Sequence, residues 1–326
     1  MRPIVPFVKK QPHGSVIDDK TSVIRSRITA ILLMIGLFML NQAGYSQTAN
    51  QYGFSTVGTA SLVLDRNTNT VNMTTGTTQL IGSSVDDQGS SVTNIGFTFT
   101  YFGTAYTQFS ASSNGGIRLG GSAISGNTIG TSFPVSNQAI IAPYLQDIET
   151  NSTGKVHYKV IGTAPNRTLV VEFLNMRINF ASSAANGTFQ ARLYERTNII
   201  EFVYGAMAVG STSNGGGSNA DARNAVIGFS NTTGANNEFS VNQSSPYTTT
   251  TSSSPIVNVN GSTGNIAGLN SAADGLRRSF TFIPPTVNTS AISGSPFCPG
   301  AAVSVPFTSS GVFTSNTYTA QLSTAT

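Results

Sequence analysis

The chain has 326 residues, only 9% of them charged, with 33 glycines, one cysteine and no tryptophan. Its formal net charge of +4 sits at one end: residues 1–46 hold six Lys or Arg against two Asp or Glu, and the remainder holds eleven of each. Beyond residue 46 there is no basic field to draw a nucleic acid or an anionic membrane, and no set of cysteines for a disulfide framework.

Residues 25–46 read RSRITAILLMIGLFMLNQAGYS, with two arginines, an apolar stretch over 28–40, then small and polar residues. That stretch is shorter than the roughly 20 residues a membrane-crossing helix needs. The layout predicts a cleaved secretory signal within residues 1–46, with Gly44 and Ser46 suited to the cleavage site and Gln47 as the mature N-terminus. The predicted location is therefore secreted or at the outer cell surface, with no membrane span in the mature chain.

After residue 46 the period is two rather than 3.6, which predicts an all-β fold. Residues 95–102 place Phe97, Phe99 and Tyr101 on one face, suited to a core. Residues 109–119 form another strand segment around the turn Asn114-Gly115-Gly116. In residues 155–160, Val156, Tyr158 and Val160 alternate with Lys155, His157 and Lys159, which predicts a half-buried strand with His157 exposed on its polar face. Residues 167–178 put Leu169, Val171 and Phe173 on one face. Residues 188–196 and 199–204 flank Thr197-Asn198, a tight turn because Asn tolerates positive φ. Residues 224–230 and 278–283 add two more strands, the last closing the domain before Pro284-Pro285. The run GSTSNGGGSN at 210–219 reads as a surface loop.

The expected organisation is a signal region at 1–46, an antiparallel β-sandwich domain at 47–285, a linker at 286–296, and a second module at 297–326. In that module Val303, Val305 and Phe307 alternate as a strand. Its 30 residues are too few for an independent sandwich. It therefore reads as the truncated start of a second β module of a longer protein.

Candidate chemistry is sparse. His157 is the single histidine after residue 46, and no G-x-S-x-G nucleophile motif partners it. One His and one distant Cys do not make a zinc site. Glycoside hydrolysis needs two carboxylates across a cleft. Asp147 and Glu149, two apart, share a face but cannot stand on opposite sides of a scissile bond; Glu172 would have to complete the pair. Catalysis is not expected. Asp147, Glu149 and Asn151 in DIETN supply the oxygen donors a Ca²⁺ ion takes, without the spacing of an EF-hand. The preferred reading is that these acids end a strand and solvate its loop, with no cofactor expected; a Ca²⁺ or polar-ligand site is the alternative. Asp86-Asp87-Gln88-Gly89 reads as an ordinary acidic turn. Cys298 is expected to pair with a cysteine in the missing part of its own module, a free thiol being the minor reading.

Three blocks carry a resemblance when taken in order. They are FTFTYFGTAYTQFSASSNGGIRLG at 97–120, IIAPYLQDIET at 140–150 leading into GKVHYKV, and TFQARLYERTNIIEFVYG at 188–205 followed by AVIGFSN at 225–231. Their order resembles the nidogen-like extracellular domain over residues 90–231, with Tyr144-Leu145 where that family often has Phe-Trp. The tail from Phe297 is similar to Ig-like or PKD-like repeats of large modular secreted proteins from gliding Gram-negative bacteria. The resemblance implies a secreted, non-enzymatic module for adhesion or structural spacing. Its partners would be an extracellular protein or glycan surface, met through loops at 147–154 and 210–221. The alternatives are a carbohydrate-binding accessory module of a secreted enzyme and, further off, a glycoside hydrolase.

Overall fold

Strand alternation in this chain resolves into two facing antiparallel sheets. A computed structural model describes residues 48–130, 133–135, 137–178, 187–209, 224–231, 238–241, 250–251, 257–258, 264–265, 277–290, 292 and 303–311. In chain order the strands are β1 (Gly53–Ala60), β2 (Thr78–Ile81), β3 (Thr93–Tyr101), β4 (Thr104–Ala111), β5 (Ile117–Leu119), β6 (Ile140–Leu145), β7 (Glu149–Ile161), β8 (Thr168–Arg177) and β9 (Gly187–Tyr194). They continue with β10 (Ile200–Val209), β11 (Asn224–Ser230), β12 (Glu238–Val241), the two-residue strands β13 (Thr250–Thr251), β14 (Val257–Asn258) and β15 (Gly264–Asn265), then β16 (Arg277–Ile283), β17 (Thr286–Thr289) and β18 (Phe307–Ser310). One short 3-10 turn at Ala49–Gln51 precedes them.

The first sheet runs β1-β16-β10-β9-β8-β7-β2, with β15 beside β10; the second runs β13-β12-β11-β6-β5-β4-β3, with β14 beside β11. The fold is the expected all-β antiparallel sandwich. Between the sheets lies one continuous core. Leu169, Val171, Phe173, Phe189, Phe202 and Phe282 face it from the first sheet, and Phe97, Phe99, Tyr101, Phe109, Ile141 and Phe229 from the second. Burying each such side chain contributes about 1.5–3 kcal/mol. The rings interlock as well: Phe229 stacks on Phe239 at 5.2 Å and meets Phe282 edge-on at 5.0 Å. Tyr101 carries a polar tip into this core, and its hydroxyl is shared between the carbonyls of Ile140 (3.1 Å) and Ser230 (2.9 Å), on adjacent strands β6 and β11.

Turns fall where the residues require them. Asn198 adopts φ 51° between β9 and β10, and its side-chain oxygen accepts the Thr100 amide at 2.8 Å, joining that hairpin to the opposite sheet. Gly115 adopts φ 79°, and a Cβ there would lie 2.0 Å from the Tyr144 carbonyl oxygen, so only glycine lets this turn lie against the end of β6.

The outer faces of both sheets are covered too. Ile124 and Phe133 pack on Ile140, Ala142, Leu145 and Val226 outside the second sheet. Residues 61–76 form a strap over the first sheet, where Val71 and Met73 pack on Ile161 and Val170. The expectation for His157 is also corrected: it is 0% exposed, and its Nδ1 lies 3.0 Å from Thr77 Oγ1. Alternation identified its face, but a distant segment of chain buries that face.

At the far end, Thr286–Thr289 pairs antiparallel with Phe307–Ser310, so the residues expected to be a linker begin with a strand. Ser310 Oγ donates to the Pro284 carbonyl at 3.0 Å, and the Ser290 amide donates to the Pro306 carbonyl at 2.9 Å. Cys298 and the expected signal region lie outside the described residues, as does the loop at 210–221.

Candidate functional site

The covered face of the first sheet holds the largest concentration of buried polar side chains among the described residues. The register pairs His157 with Glu172, Glu172 with Gln190, Arg192 with Glu201, and Glu201 with Thr281. Residues two apart on a strand share a face, so these side chains form a polar row across β7, β8, β9, β10 and β16. His157 Nε2 lies 2.8 Å from Glu172 Oε2, and Nδ1 lies 3.0 Å from Thr77 Oγ1. Gln190 Nε2 donates to Glu172 Oε1 at 2.7 Å. Tyr194 donates to Glu201 Oε2 at 2.6 Å. Burial, and then the adjacent Glu201 carboxylate, push the Tyr194 hydroxyl far above the usual tyrosine range, so it stays protonated and remains the donor.

This row binds the strap. Arg192 donates to the carbonyls of Leu64 (2.8 Å) and Ser61 (2.7 Å), and Gln190 to that of Leu62 (3.3 Å). Asp65, itself buried, accepts the amides of Asn67 and Asn69 within the strap and the Thr168 hydroxyl of β8 at 2.9 Å. The Arg66 amide donates to the Tyr194 hydroxyl at 3.1 Å, and Lys159 Nζ donates to the Asn72 and Thr75 carbonyls. The strap is thus held by charge-assisted bonds to backbone, which rank among the stronger kinds.

Between the strap and strands β7 to β9 the face opens into a pocket of about 650 Å³. Glu172 and Gln190 lie at its sheet side, with Leu62, Val71, Met73 and Leu174 as apolar walls and Lys155 on the β7 side. Thr77, His157 and Glu172 follow the order hydroxyl, imidazole, carboxylate, which is the order of an acyl-transfer relay. Neither Thr77 nor His157 is among the residues that line the pocket.

A second cluster forms at the corner before β7. Asp86, Asp87 and Asp147 each bring a carboxylate oxygen within 4.8 Å of the others. Burial, and then the carboxylates of Asp87, Asp147 and Glu149, hold Asp86 above the ordinary carboxylate range. Asn114 clasps the corner: its Nδ2 donates to Asp87 Oδ1 at 2.9 Å and its Oδ1 accepts the Ile148 amide at 3.2 Å. Of the three residues expected to bind a cation, only Asp147 belongs to this cluster. Glu149 forms an ion pair with Arg177, and Asn151 is buried, accepting the Ser152 hydroxyl at 2.8 Å. The cluster's other two members come from the turn read as ordinary. Such oxygens suit a hard cation.

Sequence reasoning did not find Arg192, Gln190 and Tyr194. Their available trace was period-two placement of polar side chains in TFQARLYER opposite the apolar face.

Among the described residues, no helix is long and apolar enough to cross a membrane. The family model described as NIDO related matches residues 62–282. The match extends the nidogen-like resemblance at both ends, from the start of the strap to the last turn of ladder in β16. No curated protein and no solved structure matches the chain.

Proposed function

Because this chain belongs to the NIDO-related family, whose domain marks an extracellular module, we propose that it is a non-enzymatic adhesion or spacing module of a larger exported surface protein. Export through the segment at 1–46, further Ig-like modules after residue 297, and an extracellular protein or glycan surface as partner belong to the same proposal. One observation carries the non-enzymatic part. The buried polar row is engaged in holding the strap, through Arg192 to Ser61 and Leu64 and through Gln190 to Leu62. A group fixed in structural bonds is ill placed to move a proton through a reaction cycle. The acidic corner at Asp147 and the loop at 210–221 are the contact regions in this reading.

The test is retention of the purified chain, coupled to beads, on extracellular-matrix proteins and on a glycan array. Deleting 210–219 together with Asp147→Asn and Glu149→Gln should abolish retention. Unchanged retention removes the assignment of those loops, and no retention by the unaltered chain removes the adhesion reading. A second reading, hydrolysis, draws on the Thr77–His157–Glu172 arrangement. Turnover of ester or glycoside substrates that Thr77→Ala or Glu172→Gln abolishes would establish it in place of the first.

A further inference from the structure

The pocket under the strap contains two opposite charges that do not neutralise each other. Glu172 is 6% exposed. Its two oxygens accept one bond each, from His157 and from Gln190, while a carboxylate offers about four acceptor positions. Lys155 lines the same pocket and, among the described residues, makes no hydrogen bond or ion pair. The register opposes Lys155 to Leu174 and His157 to Glu172, so Lys155 and Glu172 are diagonal neighbours on one face. Diagonal positions lie roughly 7–8 Å apart. No ion pair joins the two side chains among the described residues, so each can meet a ligand group.

The walls narrow the ligand class. Leu62, Val71, Met73 and Leu174 make the pocket largely apolar, and a volume of about 650 Å³ is in the range of small-molecule sites. A purely cationic ligand on Glu172 meets repulsion from Lys155, and a purely anionic ligand on Lys155 meets repulsion from Glu172. A neutral sugar escapes both, but none of the walls is an aromatic ring against which a pyranose face could lie. A ligand with an ammonium, a carboxylate and an apolar body satisfies each feature. We propose that this pocket binds an apolar amino-acid zwitterion, its ammonium on Glu172, its carboxylate on Lys155 and its side chain against Leu62, Val71, Met73 and Leu174. The source is either a free amino acid or a short apolar peptide with both ends free. This site is proposed independently of the surface contacts at 147–154 and 210–221.

Calorimetric titration of the whole chain distinguishes these sources and tests the charges separately. The probes are L-leucine, L-leucyl-L-leucine, leucinamide (no carboxylate), 4-methylpentanoate (no ammonium) and a panel of neutral monosaccharides. Binding of L-leucine or of the dipeptide is expected, and the tighter of the two identifies the source. Leucinamide and 4-methylpentanoate should each bind at least about tenfold more weakly, the loss of one charge pair. Lys155→Met should weaken the zwitterion by a similar factor yet strengthen leucinamide, whose ammonium is then no longer repelled. Glu172→Gln should do the converse, weakening the zwitterion and strengthening 4-methylpentanoate. Because Glu172 is buried, Leu174→Phe provides an independent check: it fills a half-exposed wall, leaves the buried row intact and should abolish binding. Three results overturn the proposal. They are absence of binding by either zwitterion, equal binding by the singly charged analogues, and binding of a sugar that Lys155→Met does not alter.

Discussion

Arg192 donates to Oε1 of Gln190, two residues earlier on its own strand, through Nε at 3.0 Å and a terminal nitrogen at 2.7 Å. The bond closes a row in which Thr77, His157, Glu172, Gln190, Arg192 and Glu201 each have a partner, and the terminal nitrogens of Arg192 also meet the strap. Arg192 is 1% exposed, and Glu201 lies 3.4 Å away and is also buried.

Arg192→Met should therefore be among the most damaging single substitutions. It leaves the buried Glu201 carboxylate with the Tyr194 hydroxyl but no charged partner, and the Ser61 and Leu64 carbonyls without their Arg192 donor. Removing one partner of a buried pair costs about 3–5 kcal/mol. Urea denaturation of Arg192→Met should show that loss, and adding Glu201→Gln should recover part of it. A loss below about 1 kcal/mol would mean that the strap does not depend on this bond.

The acidic corner predicts a pH dependence with a definite sign. Asp86 titrates above its ordinary range in the folded chain, so the folded state holds that proton more tightly than the unfolded state does. The stabilisation it contributes is complete below the unfolded carboxylate range and is lost as pH rises through the folded value. At neutral pH the corner is repulsive, so Asp86→Asn should raise the melting temperature there and flatten the profile between mildly acid and neutral pH. Glu195 runs the other way: hydrogen bonding from Arg167 holds it below its ordinary range, and its contribution is lost on acidification. The comparison must therefore be the difference between variant and parent. Should a Ca²⁺ ion relieve the repulsion, millimolar Ca²⁺ at pH 7 will raise the melting temperature of the parent and not of Asp86→Asn/Asp147→Asn. No Ca²⁺ shift in the parent would dispose of a cation at this corner.

Gly311 tests the junction beyond β16. Its φ is +85°, and a Cβ would sit 2.7 Å from both the Gln51 carbonyl oxygen and Pro285 Cα. Left-handed backbone alone costs a non-glycine residue about 1–2 kcal/mol. Gly311→Ala should pry the β17–β18 ladder from the start of β1 while the sandwich stays intact. Hydrogen exchange would report it: the Ser290 amide should exchange about tenfold faster, with amides of β8 and β9 unchanged. Equal acceleration in both places would mean that the junction and the sandwich open as one unit.

Local chemistry made much of this legible in advance. Phe97, Phe99 and Tyr101 face the core because period two puts them together, and Asn198 turns the hairpin because few other residues accept its φ. What could not be read locally depends on chain that returns from far away. His157 sits on a polar face, and nothing in KVHYKV indicates that Thr77, 80 positions earlier, meets its ring. Asp147 was visible as a strand-end acid, whereas Asp86 and Asp87 reach it from some sixty positions earlier. Glu149 looked like its partner by spacing, but Arg177 on the neighbouring strand holds it instead. Pairs set by strand register lie on the other strand, and their sequence separation depends on loop lengths that alternation does not encode.

The pairing of β1 with β16 has a mechanical meaning. Gly53 opposes Ile283 and Phe54 opposes Phe282, so the chain enters and leaves the sandwich at the same edge. Tension along a chain of such modules would not shear this ladder, with all its bonds loaded at once. It would peel the two strands apart from Gly53 and Ile283 inward, one hydrogen bond at a time. The contact of Gly311 with Gln51 and Pro285 stands at that edge and takes the pull first. With the two ends pulled apart, this corner would yield first, and the next pair, Phe54 and Phe282, would carry the strain into the aromatic cluster around Phe229.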